Sequence, residues 1–147
     1  MTLTDLDDAA LAARLAYEAG QLALDVRAGS GLTGKALGDA GDAAANRLLC
    51  DAIRTARPDD GLLSEEEKDD TRRCSQSRVW IVDPVDGTRE YGEARSDWAV
   101  HVALAVDGVA SIGAVALPDL DGGVVLRSDQ PQALQPMAAR PRFLVSR

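Results

Sequence analysis

The sequence predicts an α+β fold, with two helices in one layer packed on a mostly antiparallel sheet. Three observations predict it. Apolar residues recur at helical spacing as far as Arg57, the period shifts toward that of strands beyond Gly61, and Asp107-Gly108 and Gly122-Gly123 mark turns between consecutive strands.

The first helix is expected from Asp5 to about Arg27, where Leu11, Leu15, Leu22 and Val26 recur among alanines without a proline. Gly29 to Gly34 stops it. The second is expected from Gly41-Asp42, with Asp42 standing at the N-cap, through Leu48, Leu49, Cys50 and Ile53 to Arg57, where Pro58 ends it. Leu62-Leu63-Ser64 reads as a short strand running into Glu65, Glu66 and Glu67, and residues 68–77 as solvated loop. Val79 to Val82 is apolar throughout, which predicts a strand buried on both faces and broken at Asp83-Pro84, since proline cannot donate to a ladder. The next strand, Trp98 to Val106, sets Trp98, Val100, Val102, Leu104 and Val106 on one face and Ala99, His101, Ala103 and Ala105 on the other. The small alanine face is expected to lie against helices, with His101 satisfied in the interior. Asp107-Gly108 then turns the chain into Val109–Leu117, and Gly122-Gly123 into Val124–Arg127. Residues 1–128 read as one domain. Residues 129–147 read as a proline-containing linker entering a further strand at Phe143-Leu144-Val145.

Composition narrows the function. Of the 147 residues 46% are hydrophobic but only 3% aromatic, so the core is built from small side chains, with Trp80 and Trp98 its largest expected members. No apolar run is long enough to cross a bilayer, and Asp5, Asp7 and Asp8 stand where a secretory leader carries basic residues. The expected location is cytoplasmic, with no membrane partner. A net charge of -8 repels nucleic-acid phosphates, which excludes that partner class. Cys50, Cys74 and a single histidine are too few for a disulfide framework or a four-ligand zinc site. Any metal would be a hard cation on carboxylate oxygens, and Mg²⁺ fits that description.

The acids that would hold it sit at strand ends. Asp83-Pro84-Val85-Asp86-Gly87-Thr88 leaves an apolar strand and re-enters structure within six residues, which fixes two carboxylates across a tight turn. Gly87 permits close backbone approach to a ligand, and a helix starting there would turn free amides toward a phosphate. If the strand ending at Ser64 is a neighbour in the sheet, Glu65 joins Asp83 and Asp86. Converging carboxylates repel unless cations neutralise them or their pKa values rise. Two Mg²⁺ ions would do so, and would clamp a phosphoryl group for hydrolysis with Thr88 orienting a water. Each residue also has a plainer role: Asp83 and Asp86 as solvated turn residues, Asp42 as a cap, Glu66 as outer or exposed, and Glu67, Asp69 and Asp70 as a charged run.

Ser64-Glu65-Glu66 followed by Asp83-Pro84-Val85-Asp86-Gly87-Thr88 resembles the magnesium-dependent, lithium-sensitive phosphatases of the inositol monophosphatase superfamily. Leu-Ser-Glu-Glu at 63–66 and Thr-Arg-Glu-Tyr at 88–91 resemble its CysQ branch, whose members take the 3′-phosphate from adenosine 3′,5′-bisphosphate to give AMP. The resemblance implies the N-terminal half of an αβαβα sandwich. It implies that Glu65 ligates metal, Asp83 bridges two ions, the Val85 carbonyl ligates one, and Asp86 the second. Gly87 and Thr88 amides would hold phosphate, while Thr88 and Asp42 activate water, Glu65 taking a catalytic part through its ion. The expected small-molecule partner is a phosphorylated metabolite, a nucleoside bisphosphate in this reading.

Family members continue into a second half, with a further metal-binding aspartate in a Trp-Asp motif and most contacts to the nucleoside. The expectation is that this half is missing from the chain, which would limit its activity alone and favour a homo-oligomer or a separate C-terminal half as partner. Inositol monophosphatase or fructose-1,6-bisphosphatase activity, and a non-catalytic gene remnant, remain alternatives.

Overall fold

The computed structural model describes residues 1–133, with Pro136 and Arg140. The expected strand at Phe143-Leu144-Val145 and half of the expected linker lie outside the described residues.

Helix α1 (Asp8–Gly29) starts where the Asp7 carboxylate accepts the Ala10 amide at 2.7 Å, and carries Arg27 in its last turn. It buries Leu11, Leu15, Ala16, Ala19 and Ala23, so small residues let it lie close to its neighbours. Helix α2 (Gly34–Ala56) begins at Gly34 rather than near Gly41, and Asp42 is therefore an interior helical residue and not an N-cap. The break lies at Gly31 and Gly34, both with positive φ, and Thr33 takes the cap position in extended conformation. Gly38 and Gly41, both inside α2, stand where another element comes too close for a side chain. A Cβ on Gly41 would sit 2.4 Å from the Tyr91 ring.

Five strands follow, β1 (Gly61–Ser64), β2 (Arg78–Asp86), β3 (Ala99–Val106), β4 (Val109–Leu117) and β5 (Val124–Arg127), in the order β1-β2-β3-β4-β5. The β1–β2 pair is parallel and the rest are antiparallel, which gives the expected mostly antiparallel sheet. Asp107 and Gly108 both take positive φ, as a tight hairpin between β3 and β4 requires. A short helix, α3 (Thr88–Gly92), separates β2 from β3.

Strands β2 and β3 depart from expectation in three respects. β2 does not stop at Asp83-Pro84 but runs to Asp86, with a register irregularity between Asp83 and Asp86 that accommodates a residue without an N–H. Nor is it buried on both faces: Trp80 and Val82 are buried, while Ile81 is 40% exposed. On β3 the helix-facing side is Val100, Val102 and Leu104, all buried, and the alanine face bearing His101 is only partly covered. The helices cover the branched face because it offers more apolar area to remove from water.

The core joins α1 and α2 to one sheet face around Trp80 and Tyr91. Trp98 is buried as expected and meets Tyr91 edge to face at 5.0 Å, with the Arg27 guanidinium over both rings and the Tyr91 hydroxyl donating to the Ala23 carbonyl at 2.7 Å. At the far end Asp60 accepts from the Trp80 indole at 2.8 Å and from Arg78, which also reaches Asp8, itself paired with Arg57. That network closes the helix layer over the sheet, and leaves the opposite end of β1 and β2 free to carry chemistry.

Candidate active site

Parallel pairing sets Ser64 beside Val82, and the Glu65 amide donates to the Val82 carbonyl at 3.3 Å. Glu65 therefore emerges next to Asp83 as the sequence suggested, although β1 ends there while β2 runs on to Asp86. Asn46 on α2 holds this end down, its side-chain oxygen accepting from Ser64 Oγ at 2.6 Å and from Cys50 Sγ at 3.3 Å. Nothing in the sequence singled out Asn46, since its role depends on which strand lies under α2.

Asp83 is half-buried, and its Oδ1 is shut off from solvent with no hydrogen-bond partner among the described residues. Burial pushes its carboxyl up to about 6, the charges of Glu65 and Asp86 add to the rise, and His101 opposes it. Asp86 is exposed and turns its Oδ2 to His101 Nε2 at 3.0 Å. His101 is thus not an interior histidine: β3 pairs it directly with Asp83, and its side chain is 40% exposed. Among the described residues no three His, Cys, Asp or Glu side chains converge closely enough, as they stand, to hold a metal ion.

The donor set nevertheless suits a hard cation, because it consists of oxygens and includes a buried carboxylate oxygen lacking a partner. Buried polar atoms are ordinarily paired, and a cation beside Asp83 Oδ1 would supply what the protein does not. The Val85 carbonyl accepts the Thr88 hydroxyl at 3.0 Å and keeps a second lone pair. Glu65, Asp83, Asp86 and His101 line a cavity of about 490 Å³ on the sheet face away from the helices, with Leu63 and Ile81 as its apolar floor.

Asp42 approaches from α2. It is 7% exposed, and burial pushes its carboxyl up to about 7, against the Thr88 hydroxyl, which pulls it down, and with the charges of Glu66, Asp83 and Glu65. The Thr88 hydroxyl has one proton and two acceptors within reach, Val85 and Asp42. Tyr91 packed on Gly41 sets this distance, because it draws α3 against α2 one residue from Asp42. Gly87 takes φ +88° at the head of α3, and a Cβ there would meet the Asp97 carbonyl at 3.2 Å. Only glycine enters that turn without strain.

Comparison with known proteins finds a family and several relatives that this chain resembles. The profile of the inositol monophosphatase family matches residues 5–133. A 3′-phosphoadenosine 5′-phosphate phosphatase of Mycobacterium leprae is 52% identical over 136 residues, covering 85% of this chain and 50% of that protein. The 3′(2′),5′-bisphosphate nucleotidase CysQ of Escherichia coli is 38% identical over 80 residues, covering 54% of this chain and 32% of that one. The crystal structure of inositol monophosphatase-II from Staphylococcus aureus superposes with a TM-score of 0.70 at 25% identity, over 85% of this chain and 50% of that chain. The chain spans about half the length of the mycobacterial phosphatases it matches.

Proposed function

This chain belongs to the inositol monophosphatase family, and from that membership we propose that it carries the metal-binding acids of a Mg²⁺-dependent phosphomonoesterase that removes the 3′-phosphate of adenosine 3′,5′-bisphosphate. The names of its relatives support the substrate class. The observation that carries the site is Asp83: a carboxylate with an unpartnered buried oxygen, set beside Glu65 by parallel pairing and near enough to Asp42 for its charge to raise that carboxyl.

In this reading Glu65, Asp83, the Val85 carbonyl and Asp86 hold Mg²⁺, and the amides of Gly87 and Thr88 hold the phosphate. Bound Mg²⁺ supplies positive charge where the phosphoryl and leaving oxygens become negative. Asp42 accepts the Thr88 hydroxyl proton as a hydrogen bond, which turns a Thr88 lone pair toward a water and aligns it for attack. A carboxyl raised to about 7 is also poised to receive a proton near neutral pH, where general-base efficiency is greatest.

Phosphate release from adenosine 3′,5′-bisphosphate, compared with inositol 1-phosphate and fructose 1,6-bisphosphate, tests the proposal. The expected result is release that requires Mg²⁺, favours the nucleotide and falls by about 100-fold or more in Asp83→Asn. Equal release from that variant ends the reading.

A further inference from the structure

We infer that His101 is a positioning residue for the cation site, holding Asp86 through a hydrogen bond from its Nε2–H to Asp86 Oδ2 so that Oδ1 is presented toward Asp83 and Glu65. This rests on the cation reading above and adds to it a residue from a different strand. The geometry has three parts. The Nε2–Oδ2 separation is 3.0 Å. Antiparallel register sets His101 directly across from Asp83, so the imidazole is delivered by the regular ladder of β3 while Asp86 lies past the irregularity in β2. Both side chains line the same cavity as Glu65 and Asp83.

The contact also has a physical task. Asp86 is an exposed carboxylate at the end of a strand that already carries the charges of Glu65 and Asp83 nearby, and repulsion drives it outward into water. Left alone, its side chain would lose rotamer freedom each time a cation bound. A donor on Oδ2 fixes the carboxylate plane beforehand and restrains it against that repulsion, and such outer partners of ligating groups set affinity by about 10–100-fold. Because β3 is paired on both sides, by β2 and β4, the imidazole stands on a rigid support.

The test is Mg²⁺ binding by titration calorimetry to the full 147-residue chain, to His101→Ala and to His101→Gln, whose amide nitrogen occupies nearly the place of Nε2. Melting of each in chelator is measured alongside. The expected result is a loss of about tenfold or more in Mg²⁺ affinity for His101→Ala, recovery to within about threefold of the parent for His101→Gln, and unchanged melting in chelator for all three. Parent-like affinity in His101→Ala, or a glutamine variant as weak as the alanine one, overturns the role of His101 and leaves the cation site standing. A parent chain that binds no Mg²⁺ overturns both.

Discussion

Asp42 shows how one side chain can cost stability and serve chemistry at once. Its carboxyl rises from an ordinary 3.8 to about 7 on folding, so the folded state disfavours its charged form. A folded pKa above the unfolded one means no penalty below about pH 4, a penalty that grows as pH climbs toward 7, and the full penalty at pH 8. At 1.36 kcal/mol per unit that is at most about 4 kcal/mol. Asp42→Asn in cation-free buffer at pH 8 should therefore melt higher than the parent, by roughly 5–10 °C, with the gap closing toward pH 5. The same variant should lose about 100-fold or more in phosphate release. A melting gap that widens toward acid would show that burial of this carboxyl is not what destabilises the chain. Glu65, Asp83, Asp86 and Thr88 were legible in the sequence as candidates because motif and spacing are local, and Asp42 through the family resemblance, its local reading being a helix cap. Asn46, Asp60 and His101 were not, because each acquires its partner only through the packing of a distant element.

Among elements, α2 was the one whose start the sequence misplaced furthest, at Gly41 against an observed Gly34, while α1 starts at Asp8 rather than Asp5. Gly38 and Gly41 look like helix breakers, yet both lie inside α2 and answer to tertiary contact, Thr88 against one and Tyr91 against the other. Helix propensity alone says that alanine at either site gains up to about 1 kcal/mol. At Gly41 a Cβ would lie 2.4 Å from a buried ring that cannot retreat, so overpacking wins and Gly41→Ala should destabilise by about 1–3 kcal/mol. Gly29, at the end of α1, has nothing within 4 Å of a built Cβ, and Gly29→Ala should be neutral or slightly stabilising. Denaturant midpoints for the pair check this, and a stable Gly41→Ala would mean that α3 is held by something other than the fit of Tyr91. The hairpins were read correctly for the converse reason. Asp107-Gly108 specifies its own backbone, whereas β2 was cut short because a proline tolerated only at a bulge looks locally like a stop.

For the whole molecule, α1 and α2 pack on one face of the sheet, and the other exposes Ile81 beside the acidic cavity. A thin alanine-rich core, with one sheet face only partly covered among the described residues, leaves little margin between burial and ordering entropy. The raised carboxyls of Asp42 and Asp83 reduce it further at neutral pH, as does self-repulsion at a net charge of -8. A cation at Asp83 would relieve these burdens in the folded state only, so Mg²⁺ should act as a folding ligand. At about 100 times its dissociation constant a one-site ligand adds about 2.7 kcal/mol, which for a chain of this size raises Tm by roughly 5–10 °C. Na⁺ at matched ionic strength screens the general repulsion without entering the site, and should recover only a small part of the shift. Asp83→Asn should melt higher than the parent in chelator at pH 8 and gain little from Mg²⁺, because it removes both the buried charge and the oxygen that called for a partner. If Mg²⁺ shifts parent and variant alike, the stabilisation comes from screening over the whole acidic surface, and Asp83 is not where the cation acts.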